Sequence, residues 1–234
     1  MAYLRKIKPF SMTHNLEQYA LSSLFAECPN AALDAFFASG KAQIYSKEEA
    51  IYVQHAPLKN IYFLLKGMVK IHTIGHQAQV MIKDIIYPNS FFGENILFGP
   101  PIAKESAVSI ENKTEVFAIP ASTFKKLIAH HPELLVIILK EVGNKLIRKE
   151  EKLASFHFND AKSRIISFIK DTAHRVGTKV GYETLIKHSF TQQDIANITG
   201  TSRQTVTFVM NSLKKNNIIH FDRRRILIRN LTEL

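Results

Sequence analysis

The chain has 234 residues, 46% of them hydrophobic, with no tryptophan and a single cysteine, which is length enough for two modest domains with packed cores. Its formal net charge is +11, and residues 160–234 carry 13 Lys and Arg against 6 Asp and Glu, so +7 of that charge lies in the last third. A basic C-terminal part points to a polyanion partner, while one cysteine, Cys28, excludes an intrachain disulfide and a four-cysteine zinc or iron-sulfur site. The basic residues at the N-terminus are not followed by an apolar run of signal-peptide type, and the run Leu134–Leu139 is too short to span a bilayer. A cytosolic protein without a membrane segment is therefore expected.

In chain order, Leu21, Leu24, Phe25, Leu33, Phe36 and Phe37 suggest short amphipathic helices before residue 38. The period then changes. Ile44–Tyr45, Ile51–Val53, Ile61–Leu65, Met68–His72, Val80–Ile82, Ser90–Phe92, Val108–Ile110 and Val116–Ile119 are β-prone runs separated by polar or Gly/Pro turns. Many short strands at fairly even spacing predict a small antiparallel barrel or roll, and Gly67 between two of them marks a hairpin.

From Pro120 the pattern turns helical, first over about Ser122–His130, after which Pro132 is placed to open a long helix. Leu135, Leu139, Val142, Leu146, Lys149, Leu153 and Phe156 follow alternating steps of four and three, a heptad seam that is apolar except at Lys149. That seam favours a parallel coiled-coil dimer over a helix packed only within its own subunit. Phe158-Asn-Asp160 reads as a hinge, and Ala161–Val176 as a helix leading into the last domain.

Residues 190–213 read as a helix-turn-helix. Thr191 and Asp194 supply a capping-box-like start, Gly200 a turn residue that takes positive φ at low cost, and Thr201 or Ser202 a cap for the second helix. Val206, Val209, Met210 and Leu213 then form one buried stripe, leaving Arg203, Gln204 and Thr207 on the opposite face, where a recognition helix presents side chains to base edges. Ile218–Phe221 and Ile226–Ile228 flank the basic turn Asp222-Arg-Arg-Arg225, which reads as a wing. Arg203 suits guanine, Gln204 adenine and Thr207 a thymine methyl, while Phe208 either meets a thymine methyl or packs inward. Thr191, Lys187, Ser202, Arg223, Arg224 and Arg225 complete the DNA-facing candidates, the last five of them toward phosphates. A solvated turn is the competing reading of the three arginines.

In this order of elements the chain resembles the Crp/Fnr superfamily of bacterial transcription regulators over nearly its whole length. The resemblance rests on Ile61-Tyr-Phe-Leu-Leu-Lys-Gly67, on Phe91-Phe-Gly-Glu94 ahead of Leu97-Phe98, on Phe158–Ile165, and on Thr191–Ile219. It implies an α+β architecture: an N-terminal antiparallel β-roll of cyclic-nucleotide-binding type at 1–158, including a dimerisation helix at about 132–157, and a winged helix-turn-helix at 159–234. It also implies a homodimer on an inverted-repeat promoter site, double-stranded DNA and RNA polymerase as partners, and no enzymatic activity.

In cyclic-nucleotide-binding members a Gly-Glu pair meets the ribose and an Arg-Ser pair binds the phosphate. The first would be Gly93 and Glu94, although a structural role within the roll is the favoured reading of Glu94. For the second, aligning on Ser106 puts Glu105 at the arginine position, whereas a gap-free count from Glu94 puts Lys104 there. A carboxylate repels a phosphate, and a lysine lacks the bidentate fork. The adenine-binding Thr-Ser pair is replaced by Lys149-Glu150, so cyclic AMP is not expected and the effector is another molecule or none. Lys149 is expected to pair with Glu105 or Glu150 where a ligand otherwise sits. Surface histidines are the favoured reading of His72, His76, His130 and His131, with haem or a metal the lesser one. The competing class is a signalling module that does not bind DNA and whose roll takes a cyclic nucleotide or haem. No phosphate-cradling glycine loop, nucleophile elbow or paired metal motif supports catalysis.

Overall fold

The computed structural model describes residues 24–234. Leu21 and the rest of the first 23 positions lie outside the described residues. Leu24 and Phe25 fall in a turn, and the expected helix is α1, Asn30–Ala38, which buries Ala32, Leu33, Phe36 and Phe37 on one side. All eight β-prone runs become strands: β1 Lys41–Tyr45, β2 Ala50–Tyr52, β3 Asn60–Lys66, β4 Val69–Ile74, β5 Val80–Ile86, β6 Ser90–Phe92, β7 Ser106–Ser109 and β8 Thr114–Pro120. They form two sheets, ordered β1-β8-β3-β6 and β2-β7-β4-β5, with a short helix α2 at Asn95–Phe98.

Gly67 does not make the hairpin expected of it. β3 and β4, on either side of it, belong to different sheets, so the glycine is where the chain changes sheet. Its φ is +87°, and a Cβ there would stand 2.6 Å from Thr114 Oγ1, which explains a residue without a side chain. The five apolar residues Ile61–Leu65 of β3 are all buried, as expected of a strand covered on both faces. Against one face Phe25, Phe36, Phe63 and Phe91 meet with ring centroids 4.9–6.2 Å apart. Each such ring contributes on the order of 1.5–3 kcal/mol by burial.

Helix α3, Ala121–His130, leads into α4, Pro132–Phe158. Two stripes run along α4. Leu134, Ile137, Ile138, Glu141 and Lys145, at i, i+3, i+4, i+7 and i+11, are buried. On another face Leu139, Leu146 and Leu153, seven residues apart, are 53%, 57% and 72% exposed. Of the other seam positions, Phe156 is also exposed, Leu135 is half-buried, and Val142 packs partly against the roll's core.

The chain divides into two compact units, Met1–Val69 with Pro88–Lys145, and Lys70–Tyr87 with Leu146–Leu234. The second unit contains α5, Ala161–Val176, capped by Asp160, whose Oδ1 accepts from Ser163 N at 2.7 Å. There follow β9 Thr178–Val180, β10 Glu183–Lys187, α6 Gln192–Thr199, α7 Arg203–Lys215, β11 Ile219–Phe221 and β12 Arg225–Ile228, the strands ordered β11-β12-β10-β9. Their core is Ile165, Ile169, Ile186, Ile195, Val206, Val209, Met210, Leu213, Ile226 and Ile228. Segment 70–87 joins this unit through Tyr87, whose hydroxyl lies 3.1 Å from Thr172 Oγ1 and whose ring sits beneath the Arg175 guanidinium. Lys152 adds hydrogen bonds to the carbonyls of Ile82 and Lys83.

Candidate nucleic-acid interface and effector pocket

Local chemistry places the recognition helix. Asp194 N donates to Thr191 Oγ1 at 3.0 Å and Thr191 N to Asp194 Oδ2 at 2.9 Å, closing the expected capping box of α6. Asp194 also lies 3.5 Å from Lys70 Nζ. Gly200 ends α6 at φ 62° and ψ 42°, the left-handed conformation of a helix C-cap. Arg164 ties this turn to α5, donating from Nε to Thr199 O at 2.9 Å and from Nη2 to Gly200 O at 3.3 Å, with its guanidinium over the Phe156 ring. Of the two caps offered for α7, Ser202 is the one used, accepting from Thr205 N at 3.0 Å.

With Val206, Val209, Met210 and Leu213 buried, α7 turns Arg203, Gln204, Phe208 and Asn211 outward. Phe208 is 75% exposed, so of its two readings the inward one does not hold. Thr207 is half-buried, and its hydroxyl donates toward Gln192 Oε1 at 2.6 Å and Arg203 O at 2.9 Å. Gln192 and Asn211 went unrecognised in the sequence, although Asn211 stands four residues after Thr207 on the same face.

The wing forms as expected. β11 and β12 pair antiparallel around Asp222–Arg225, and Asp222 Oδ1 accepts from Arg224 N at 2.7 Å. That backbone hydrogen bond is the main reason the Asp222 carboxyl titrates below its usual range. Arg223, Arg224 and Arg225 are exposed, as is Lys187, which faces Arg225 across β10 and β12.

In the first unit, Gly93 has φ +72°, and a Cβ there would lie 2.9 Å from the Tyr62 ring. Glu94 is already engaged: Lys145 Nζ donates to its Oε1 at 2.8 Å and to Phe91 O at 2.6 Å, with the two side chains only 9% and 14% exposed. Lys149, which was expected to pair with Glu105 or Glu150, is exposed, as is Glu150 beside it. Glu105 accepts from Asn95 Nδ2 at 3.3 Å, Ser106 is buried with Oγ accepting from Gln54 N at 2.9 Å, and Lys104 is exposed. Burial first, then the negative charges of Glu105 and Glu94, push the Tyr52 hydroxyl well above its ordinary range, so both carboxylates act on the same buried region.

His130 Nδ1 lies 2.8 Å from Lys126 O and His131 Nδ1 3.4 Å from Glu133, both local contacts. Among the described residues no group of three or more His, Cys, Asp or Glu is arranged to hold a metal, and no helix is long and apolar enough to cross a membrane.

A family model for the cyclic nucleotide-binding domain matches residues 42–131, and one for the Crp-like helix-turn-helix domain matches residues 163–234. The CRP-like cAMP-activated global transcriptional regulator of Mycobacterium tuberculosis is 26% identical over 214 residues, covering 91% of this chain and 94% of that protein. The global nitrogen regulator of a Synechocystis species is 22% identical over 80% of this chain and 84% of its own. Among solved structures, FixK2 from Bradyrhizobium japonicum superposes with a TM-score of 0.74 at 20% identity, covering 83% of this chain and 94% of that one. A roll and a winged helix-turn-helix in this order, each matched by its own family model, make the chain a member of the Crp/Fnr family of DNA-binding transcription regulators.

Proposed function

We propose that the protein acts in the cytoplasm as a homodimer that binds an inverted-repeat promoter site and works on transcription together with RNA polymerase. The observation that carries this reading is the outward face of α7, where Arg203 and Gln204 stand exposed at the helix N-terminus beside a basic wing. Arg203 pairs with guanine and Gln204 with adenine, while Lys187, Ser202, Arg223, Arg224 and Arg225 meet phosphates near the Thr191 helix entry. Leu139, Leu146 and Leu153 supply an exposed seam for the second copy. A two-fold axis along it would set two recognition helices on half-sites about 34 Å apart.

The name of the mycobacterial relative describes activation by cyclic AMP. Here the Lys145–Glu94 pair and the Glu105 carboxylate support an effector other than cyclic AMP, or none, and the reading includes no haem or metal.

The test is selection of bound sequences from a random DNA pool with the purified, untreated protein, followed by affinity against salt and sedimentation of the free protein. A palindrome bound by a dimer is expected. Arg203→Ala should relax specificity at one base pair per half-site, worth about 1–3 kcal/mol. Replacing Arg223, Arg224 and Arg225 should weaken all sequences alike and reduce the salt slope by about 0.9 for each phosphate left without its cation. Absence of binding at low salt would overturn the reading in favour of a signalling module.

A further inference from the structure

Thr207 faces the groove side of α7, yet its hydroxyl is already committed. The oxygen lies 2.6 Å from Gln192 Oε1 and 2.9 Å from Arg203 O. A hydroxyl has a single proton, and here it is directed to acceptors within the unit. What Thr207 retains for a base edge is its methyl group. The next residue, Phe208, leaves 75% of its surface in solvent, although burying a phenyl ring is among the larger gains available to a side chain. Around this apolar pair the face is polar, with Arg203 and Gln204 on its N-terminal side and Asn211 beyond, all exposed.

In the major groove the apolar feature that distinguishes one base edge from another is the 5-methyl group of thymine. We propose that Thr207 and Phe208 form an apolar reader of adjacent thymine methyls in each half-site, next to the bases addressed by Arg203 and Gln204. Gln192, on the preceding helix, is its positioning residue. In helices threonine divides between two rotamers because its oxygen can bond a carbonyl one turn back. The Arg203 carbonyl and Gln192 together hold the one that keeps the hydroxyl inward. Without Gln192 only the Arg203 carbonyl holds it, the hydroxyl turns more readily toward a base or water, and methyl selectivity at that position falls. This inference rests on the DNA-binding reading above and narrows its target to a thymine-bearing half-site.

The experiment uses the full-length protein and the operator recovered by selection. Each thymine is replaced in turn by deoxyuridine, which removes the methyl and leaves every hydrogen-bonding group. Kd is measured for the wild type and for Phe208→Ala, Thr207→Ser and Gln192→Ala. For the wild type, two neighbouring thymines per half-site should each lose about fourfold in affinity on demethylation, the worth of one buried methyl group. Phe208→Ala should bind more weakly and become indifferent to the methyl at one of these positions, and Thr207→Ser at the other. Gln192→Ala should reduce the methyl effect at the Thr207 position while retaining it at the Phe208 position, a pattern that general weakening of the fold does not produce. A tightly bound palindrome without neighbouring thymines, or one bound equally with thymine and deoxyuridine, overturns the inference and leaves the regulator reading intact. Failure to select any sequence overturns both.

Discussion

Replacing Lys145 by methionine tests the buried ion pair directly. Lys145 Nζ has two acceptors, Glu94 Oε1 at 2.8 Å and Phe91 O at 2.6 Å, and neither side chain is more than 14% exposed. Methionine keeps the unbranched stem that packs on the buried stripe of α4 but removes the ammonium, leaving Glu94 as a largely buried carboxylate without its cation. Removing one partner of a buried pair costs about 3–5 kcal/mol. Residual access to solvent at Glu94 argues for the lower end, about 3 kcal/mol, equivalent to a fall in Tm of about 6–12 °C for a chain of this size. Glu94→Gln should cost less, about 1–2 kcal/mol, because the amide oxygen and Phe91 O still accept from Lys145. The double variant removes both charges and should be more stable than Lys145→Met alone, giving a coupling of about 1–3 kcal/mol. The assay is urea and thermal unfolding by far-ultraviolet circular dichroism, with hydrogen exchange at Ser90–Phe92 to assign the loss to the roll. Raising the salt should change the differences little, since buried pairs are weakly screened. A Lys145→Met protein that melts within a degree of the wild type, or single-variant costs that simply add, would refute a formed and buried pair.

Two further changes act on the second unit. Gly200→Ala puts a Cβ on a backbone at φ +62° and 2.5 Å from Phe156 Cε1. The left-handed conformation alone costs about 1–2 kcal/mol, and Phe156 must also leave its place under Arg164, so a Tm at or above that of the wild type would contradict this turn. His188 is buried, stacked on Phe190 with its Nδ1 accepting from Phe190 N at 3.1 Å, and burial is the leading cause of its lowered pKa. The folded state therefore keeps it neutral, while the unfolded chain takes up a proton near the ordinary value of 6.5. Its contribution is fully present above that pH and declines as the pH falls from 6.5 toward the lowered folded value, by at most about 1.4 kcal/mol per pH unit. Urea midpoints at pH 7.5 and 5.5 should differ less for His188→Gln than for the wild type, and equal differences would rule out a titrating His188.

Features written in local chemistry were legible in the sequence: the eight strands from β-prone runs between turns, the Thr191–Asp194 capping box, the Gly200 turn and the buried stripe of α7. Each depends on residues within a few positions of one another. Strand partnership does not, and the reading failed there at Gly67, where adjacent runs in sequence entered different sheets because pairing is settled by β6, β7 and β8 far along the chain. β9 escaped notice for another reason. All three of its residues are exposed, so no alternation betrays it.

The candidate sites divide along the same line. The outward residues of α7 follow from a single helix period, whereas Gln192 bonds Thr207 from 15 residues away and Lys145 meets Glu94 from 51 away. The case of α4 is the more instructive. A heptad count searches for apolar residues, and it found the exposed stripe through Leu139, Leu146 and Leu153. The inward stripe ends in Glu141 and Lys145, which such a count reads as solvent-facing, leaving Lys149 as the polar break in the seam. A charged residue enters a core only when a partner waits there, and that partner is supplied by the loop after β6. Hydrophobic periodicity can therefore locate both faces of such a helix only after the roll it packs on has been folded, and the identity of the lysine in the pocket is a property of tertiary structure.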